Sequence, residues 1–584
     1  MSSARDERRK KRARASSGHG HFILPSDEYL KGAKLGEGSY GTVHVATGPD
    51  GVEVALKTPD KDAQGDKDSQ QGISHSCLRE VVLLRALSPH PHIVALHGVL
   101  IDNGQLICVL GRATRDLTRY MRARPRPTLE APTALDVLRQ VALGIEHCHA
   151  HSVVHRDVKP SNILIDERPG VAALHARLCD LGTALRVAPG RTNTLVGSLP
   201  YEAPEMLLGD DTYGTAVDVW SLGTLFCEMR LPVDSTFFVR ERTCIERVGM
   251  LARVAAAVGM PTDVSWPGVS ALPNFAAFAE ATRTSRPHRG RLRALLAPSL
   301  GAREIELLES MLLVLDPRRR APGAAVSRRL AELCGRFDAP PLPPSPPPPP
   351  PPPPPIPRAA RARVASSLLE GHAEVTARMR GIVVGWLVEA HRNFRLEQRT
   401  LHLAVALLDE YLRRDRRLPK RRLQLLGIGA SHVAAKMVER DAVDVGDWVY
   451  ISAMSVSADE VREIEGEIVR VLDAELDPPI LPACLEPALE ALQPAERTFA
   501  RYLADITLLD GRAADFPPAA LAQACASLAA GAPVVHDGCV SLLRALHALA
   551  AACTTNDGQF EYIRKKYAAD VCFDRTLGAP SAVQ

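Results

Sequence analysis

The chain has 584 residues, a formal net charge of +3 and 46% hydrophobic residues, a composition that suits about two to four packed domains. The near balance of charge argues against a nucleic-acid partner, and no apolar stretch reaches the ~20 residues of a membrane span, so we expect neither nucleic acid nor membrane as a partner. The 12 cysteines show no metal-ligand spacing, and we expect free thiols in a reducing compartment.

The chain opens with a basic segment. We expect residues 1–28 to form a disordered tail outside the fold. Its positive charges are Arg8, Arg9, Lys10, Lys11, Arg12 and Arg14. A solvated tail and a nuclear import signal are both open interpretations, and the expected localisation is nucleus and cytoplasm.

From Tyr29 to about residue 110, short apolar runs alternate with glycine turns, which predicts a small β-sheet. One helix interrupts it, because Leu78, Val81 and Leu84 follow helical spacing. From about residue 115 to 338 helices are expected to dominate, with polar loops between them. This order predicts a sheet-containing lobe followed by a helical lobe.

Five motifs stand in the order and spacing of the protein-kinase signature. They are Gly36-Glu37-Gly38-Ser39-Tyr40-Gly41-Thr42-Val43, Val54-Ala55-Leu56-Lys57, His155-Arg156-Asp157 with Asn162, Asp180-Leu181-Gly182, and Ala203-Pro204-Glu205. The glycines let the backbone approach phosphates closely, because no Cβ intervenes. The set predicts phosphoryl transfer from ATP.

Four residues carry the predicted catalysis. Lys57 would hold the α- and β-phosphates, and Glu80 would orient it. Asp157 would accept the proton of the substrate hydroxyl, while Lys159 would offset charge on the moving phosphoryl group.

ATP and Mg²⁺ are the expected cofactors. Asn162 and Asp180 would be the metal ligands, because their oxygens suit a hard cation. The predicted nucleotide-binding residues are Gly36, Gly38, Ser39, Tyr40, Gly41, Val43, Ala55, Lys57, Ala113, Asn162 and Asp180.

The stretch Gly72-Ile73-Ser74-His75-Ser76-Cys77-Leu78-Arg79-Glu80 resembles the PSTAIRE helix of cyclin-dependent kinases. The stretches 215–223 and 258–262 are similar to the same family. The resemblance covers about residues 29–338 and implies a bilobal α+β kinase domain that phosphorylates protein Ser/Thr. It also implies that Arg320 pairs with Glu205 and that Asp218 braces the catalytic loop.

Regulatory residues follow from this resemblance. Ser39 and Tyr40 match sites of inhibitory phosphorylation, where a phosphate would repel the nucleotide. Thr194 matches the activating threonine, and Arg79 and Arg156 would bind its phosphate. Activating and inhibitory kinases are therefore expected partners.

Some positions depart from the family pattern. Pro200 and Glu202 stand where Trp and Arg are usual, next to the site for the residue after the phosphoacceptor, so a preference for Ser/Thr-Pro is left open. Leu181 replaces Phe in the metal-binding motif, and the hinge around Gly111 is unusual.

Residues 339–361 form a proline-rich segment. Polyproline II rises ~3.1 Å per residue, so the segment from Pro340 to Pro357 would reach roughly 55 Å as a semi-rigid spacer. Recruitment of SH3 or WW domains is the alternative.

Beyond the linker, apolar stripes at helical spacing predict an all-α bundle. The stretches 379–389 and 423–436 resemble the cyclin box, most closely that of A/B-type cyclins. The resemblance implies an N-terminal cyclin box over residues 362–478, a second cyclin repeat over 479–575 and a tail over 576–584. Lys436 and Glu465 occupy the places of the cyclin residues that bind the kinase, although an ordinary solvated charge is the alternative for each.

Cyclins also bind RxL-type substrate peptides in a shallow groove. The matching residues are Met379, Val383, Trp386, Glu389, Leu423 and Gln424. Ordinary core packing of an amphipathic helix explains the same pattern, and Gly385 replaces the usual Asp.

The combined prediction is a cyclin-dependent Ser/Thr kinase, active in cell-cycle control, that carries its activating cyclin as an intramolecular partner and acts on protein Ser/Thr. Two alternatives stay open: a non-catalytic kinase-like scaffold, and two neighbouring genes merged into one reading frame.

Overall fold

The computed structural model of the protein describes most of the chain. The described residues are 22–38, 41–59, 71–102, 104–167, 173–187, 195–231, 246–283, 291–335, 368–533, 536–552, 563 and 566–567. Ser39, Tyr40, Thr194, the linker 339–361 and the tail 576–584 lie outside them, and so do the predictions made for them.

The N-terminal lobe is a five-stranded antiparallel sheet in the order β1-β2-β3-β5-β4. Its strands are β1 (Leu30–Gly38), β2 (Gly41–Thr47), β3 (Glu53–Thr58), β4 (Leu96–Asp102) and β5 (Gln105–Gly111). Gly38 at the end of β1 pairs with Gly41 at the start of β2. Lys57 on β3 pairs with Val43 on β2.

Helix α1 (His75–Leu87) packs against this sheet. The predicted stripe is its buried face, since Leu78, Val81, Leu84 and Leu87 are all 0% exposed. Burial of that stripe fixes the rotation of the helix and turns Glu80 toward β3.

The second lobe is mainly helical. Its helices are α2 (Leu117–Arg122), α3 (Ala131–Ala150), α4 (Pro204–Leu207), α5 (Ala216–Arg230), α6 (Arg247–Val258), α7 (Phe275–Ala281), α8 (Leu292–Leu296), α9 (Ala302–Leu307) and α10 (Gly323–Leu333). Short strands form two small sheets: β6 (Arg115–Asp116), β8 (Ile163–Asp166) and β9 (His175–Leu178) in one, β7 (Val153–Val154) and β10 (Leu185–Arg186) in the other. The motif from His155 to Asn162 connects β7 to β8, and Asp180 follows β9.

The region after the linker is all-helical. Its helices are α11 (Ala377–Phe394), α12 (Gln398–Arg414), α13 (Leu423–Val438), α14 (Val445–Ile451), α15 (Ala458–Val471), α16 (Leu481–Leu489), α17 (Pro494–Thr507), α18 (Pro518–Ala530) and α19 (Asp537–Ala552). Helix α13 is buried nearly all round and lies at the centre of the first five. A capping box of Ser457 and Glu460 starts α15. A bilobal α+β fold followed by an all-α fold confirms the predicted fold class.

The prediction of disorder over residues 1–28 extends too far. Ser26–Glu28 form a 3₁₀ turn, and the amide of Leu24 donates to the carbonyl of Val99 on β4 at 2.8 Å. A single sequence shows no signal for this contact, because the segment adds to a strand edge through its main chain. Residues 1–21 lie outside the described part of the chain.

Within the described ranges, no helix is both long and apolar enough to cross a membrane. The same ranges hold no cluster of three or more His, Cys, Asp or Glu side chains arranged around a cation.

A buried ion pair connects the two helical repeats after the linker. Arg380 on α11 donates to both carboxylate oxygens of Asp409 on α12, at 2.7 and 2.6 Å, and to the carbonyl of Leu508 after α17 at 2.7 Å. Arg380 is only 2% exposed. Sequence analysis did not assign this pair, although an arginine on the buried face of a helix is a signal for one.

We predict that Asp409→Ala lowers the free energy of unfolding of the full chain by about 3–5 kcal/mol, because it leaves the Arg380 guanidinium buried without its counter-charge. Urea unfolding measures this change. The matched control, Arg380→Met with Asp409→Leu, removes both charges and is expected to cost less. Equal losses in the two variants would show that the pair is not what stabilises this contact.

Candidate active site and docking contacts

Lys57 lies between two carboxylates at the junction of the lobes. Its Nζ is 2.7 Å from Glu80 Oε2 and 2.7 Å from Asp180 Oδ1. Burial alone lowers the pKa of Lys57, but the two carboxylates outweigh burial and hold this pKa well above its ordinary value. Lys57 is therefore a fixed positive charge, positioned jointly by β3, α1 and the loop after β9.

Asp157 keeps one oxygen without a hydrogen bond. Its Oδ2 accepts from Lys159 Nζ at 2.6 Å and from Asn162 Nδ2 at 3.0 Å. Its Oδ1 is buried and has no hydrogen-bond partner among the described residues. Lys159 also donates to Ser198 Oγ at 2.8 Å, which connects the catalytic loop to the segment before α4. The two bonds to Oδ2 therefore orient the Asp157 carboxylate, and Oδ1 is available to accept a proton.

Asp218 on α5 holds the backbone of the catalytic loop, as the family resemblance implies. Its carboxylate accepts from the amides of His155 at 2.9 Å and Arg156 at 2.8 Å, and lies 2.9 Å from His149 Nε2. Arg156 has a left-handed φ of 69°, a strained conformation that these bonds stabilise. Arg320 forms the expected two-fold pair with Glu205, at 2.7 and 3.0 Å.

The donor set suits Mg²⁺. Asn162 uses its Nδ2 group toward Asp157, which leaves the carbonyl oxygen Oδ1 as a ligand. Asp180 binds Lys57 through Oδ1 and retains Oδ2. An amide oxygen and a carboxylate oxygen are ligands that this cation prefers.

Several of the predicted nucleotide-binding residues lie on the first sheet and in the connection after it. Gly36 pairs with Val43 across β1 and β2, and Ala55 lies on β3, buried. Ala113 is half-buried in the connection between β5 and β6. Because paired residues of neighbouring strands project to the same face, Val43 and Lys57 lie on one face of the sheet.

Lys436 and Glu465 form a fully buried pair against the kinase backbone. Both side chains are 0% exposed, with Lys436 Nζ 2.6 Å from Glu465 Oε1. Lys436 also donates to the carbonyls of Gln71 at 2.7 Å and Ile73 at 2.8 Å, while Glu465 Oε2 accepts from the Ile73 amide at 3.0 Å. The alternative of two solvated charges is wrong.

This contact requires a particular backbone path before α1. Gly72 has a φ of 89°, and a Cβ there would collide with Glu465 Oε2. Val445 N also donates to Gln71 Oε1 at 2.8 Å, and His432 Nε2 donates to the Gln71 carbonyl at 3.1 Å. The helical domain thus binds main-chain groups of residues 71–73 directly.

The two arginines predicted to bind phosphate bind protein groups here. Arg79 donates to the carbonyls of Lys436 at 3.0 Å and Glu439 at 2.6 Å, at the end of α13. Arg156 donates through Nε to the Thr183 carbonyl at 2.6 Å. Because Thr194 lies outside the described residues, phosphate binding stays a prediction.

Further contacts between the domains were not found from the sequence. Arg85 on α1 pairs with Glu475 at 3.2 Å, and Arg186 on β10 pairs with Asp477 at 2.8 Å. These charges are common surface types in the sequence, and nothing in their spacing marks them as interface residues.

The segment before α4 contains Glu202, one of the residues that depart from the family pattern. Glu202 is only 5% exposed and accepts from Arg247 Nε at 3.0 Å. Glu202, which stands where the family usually has arginine, is therefore held in an ion pair with Arg247 on α6. The preference for the residue after the phosphoacceptor stays open.

The predicted docking groove lies on two packed helices. Met379, Val383, Trp386 and Glu389 are half-buried on α11, and Gln424 is half-buried on α13. Leu423 is 3% exposed and so belongs to the core rather than to an open surface. Docking at this surface stays a prediction.

Two family models agree with this architecture. A family model described as the protein kinase domain matches residues 29–326, slightly more than half of the chain, and one described as the cyclin N-terminal domain matches residues 358–477. Among solved structures, a chain of the CAK complex from Chaetomium thermophilum bound to ATP-γ-S is 30% identical, with 52% of this chain and 91% of that chain covered and a TM-score of 0.44. The chain belongs to the protein kinase family, and a cyclin domain follows its kinase domain.

Proposed function

We propose that this protein is a cyclin-dependent Ser/Thr kinase that carries its activating cyclin in the same chain. One observation supports this most directly: Lys436 and Glu465 bind the backbone at the start of α1, and α1 carries the Glu80 that pairs with Lys57. The cyclin domain therefore contacts the same helix that completes the active site.

In the proposed reaction, a substrate Ser or Thr hydroxyl lies against Asp157 Oδ1 and gives up its proton there as it attacks the γ-phosphorus of ATP. Lys159 donates to Asp157 Oδ2 and so orients this carboxylate. Lys57 holds the phosphates that remain with ADP. Mg²⁺ held by Asn162 and Asp180 would neutralise charge on the transferred group.

Activation follows from the position of α1. Without the cyclin domain, the main chain of residues 71–73 would lose its bonds to Lys436 and Glu465, and Glu80 would be held less strictly toward Lys57. A linker gives an effective concentration on the order of 1 mM. For a pair that binds at ~1 μM, the docked state is then favoured by about 4 kcal/mol.

Control then shifts from the supply of a partner to modification of the chain. Phosphorylation of Thr194 would activate through Arg79 and Arg156, and phosphorylation of Ser39 or Tyr40 would inhibit, by kinases that act on these sites. Protein substrates would dock on the groove of α11 and α13. We propose cell-cycle control in nucleus and cytoplasm as the setting.

We predict that Asp157→Asn lowers the rate of phosphate transfer about 10²–10⁴-fold, because the amide accepts no proton. Radiolabelled ATP with a generic histone substrate measures the rate. The matched control is Asp102→Asn, an exposed change at the end of β4 that should leave the rate unchanged. An Asp157→Asn protein with wild-type turnover would exclude the proposed base.

The double variant Lys436→Ala with Glu465→Ala should reduce kinase activity while the kinase lobes stay folded. Removing both charges together avoids leaving one of them buried alone. Activity and circular dichroism of the full chain measure the two effects. Glu463→Ala, an exposed change on α15, is the control. Undiminished activity in the double variant would mean that docking does not use this pair.

The folded protein should lose stability in acid. Burial and the charges of Lys436 and Arg79 lower the pKa of His75 to about 3, and burial and Lys436 hold the pKa of His432 well below its ordinary value. Both rings are neutral in the folded protein but bind protons below pH ~6.5 in the unfolded chain, so their contribution to stability is complete above that pH and falls toward pH 3.

Each histidine contributes at most ~1.4 kcal/mol of lost stability per pH unit in this window. Urea unfolding of the full chain at neutral and mildly acid pH measures the slope. His75→Gln with His432→Gln should flatten it, since Gln stays neutral. The same slope in both proteins would contradict the assignment.

A further inference from the structure

A short segment ahead of the kinase domain lies on the edge of the first sheet. Ile23 forms a parallel bridge with Val99 on β4, the edge strand. The amide of Leu24 donates to the Val99 carbonyl at 2.8 Å, and the amide of Val99 donates to the Phe22 carbonyl at 3.0 Å. We call residues 22–24 the strap. Its main chain covers an edge that would otherwise be open.

The strap also contacts the cyclin domain. Asp473, just after α15, accepts the amide of Phe22 at 2.9 and 3.0 Å through its two carboxylate oxygens, and the amide of Ile23 at 2.9 Å. Two consecutive backbone N–H groups thus share one carboxylate, which is a charge-assisted contact. Asp473 and Ala474 have positive φ values of 50° and 56°, a costly conformation for non-glycine residues that clusters at functional contacts.

Helix α1 also takes part in this contact, through Arg85. The guanidinium of Arg85, in the last turn of α1, lies 4.3 Å from the centre of the Phe22 ring. Arg85 also donates to the carbonyl of Asp473 and pairs with Glu475 at 3.2 Å. Strap, helix α1 and cyclin domain therefore meet at one place.

Gly98 on β4 makes room for the strap. A Cβ built there would lie 2.6 Å from Leu24 Cδ1 and 2.7 Å from the Phe22 carbonyl oxygen. Both distances are shorter than real side chains tolerate, so any larger residue at this position would displace the strap from β4.

We propose that the strap is a second kinase–cyclin clamp, recognised by the Asp473 carboxylate, that holds the C-terminal end of α1. Lys436 and Glu465 hold the other end of the helix, so α1 is fixed at both ends. Because Asp473 binds backbone amides, a cyclin surface without an acidic group at this position would lack this contact. The effect on activity rests on the proposed function, whereas the contact itself does not.

Hydrogen–deuterium exchange of the full chain tests the clamp from both sides. Asp473→Gly removes the carboxylate at no backbone cost, because glycine tolerates the positive φ. Gly98→Ala displaces the strap from the kinase side. In each variant we expect exchange of the amides of residues 22–24 to become roughly 10-fold faster or more, since charged hydrogen bonds or strand contacts are lost.

Ala474→Gly is the matched control, because it relaxes the neighbouring positive φ and keeps the carboxylate. It should leave exchange of the strap unchanged, and exchange of α17 should stay unchanged in all three variants. Wild-type exchange of residues 22–24 in Asp473→Gly or in Gly98→Ala would overturn the clamp.

The two proposals fail in different ways. If the cyclin domain does not activate the kinase, the Lys436→Ala, Glu465→Ala protein keeps its activity while strap exchange still responds to Asp473→Gly. If the clamp is wrong, that double variant still loses activity but strap exchange does not respond. With both correct, Asp473→Gly also lowers kinase activity several-fold.

Discussion

Docking of the two domains depends on one buried ion pair that binds the backbone of residues 71–73. Lys436 and Glu465 are both fully buried, and burying two charges is costly unless every polar atom finds a partner. The carbonyls of Gln71 and Ile73 and the amide of Ile73 supply those partners. Both charges belong to the cyclin domain, and the backbone of the kinase domain completes their hydrogen bonds. Docking is therefore selective for one backbone path, which Gly72 makes accessible, and it acts on the helix that carries Glu80.

Much of the site could be predicted because its chemistry is local in the sequence. Lys57, Asp157, Asn162 and Asp180 belong to short motifs whose residue types phosphoryl transfer requires, and the structure brings them together between the lobes. The fold followed in the same way from hydrophobic periodicity, since the stripe on α1 is its buried face. Motif spacing was sufficient to predict these site residues, because local core packing fixes the position of the elements next to each motif.

The contacts that join the domains could not be predicted in this way. Asp473 binds the amide of Phe22 across 451 positions of the chain, and neither residue belongs to a motif. Both partners of such a contact are ordinary in sequence, because one contributes only its main chain. The same reason explains why disorder was predicted for residues 22–28. The roles of Lys436 and Glu465 came from a family resemblance, and their complete burial only from the structure.

The central claim is that the kinase is activated by a domain of its own chain. Its most direct test compares the kinase activity of the full chain with that of residues 1–338 alone, at equal concentration and with saturating ATP. We predict that the shorter protein is much less active, and that adding residues 368–584 as a separate chain restores part of the activity at micromolar concentration. Equal turnover by the two proteins would contradict built-in activation.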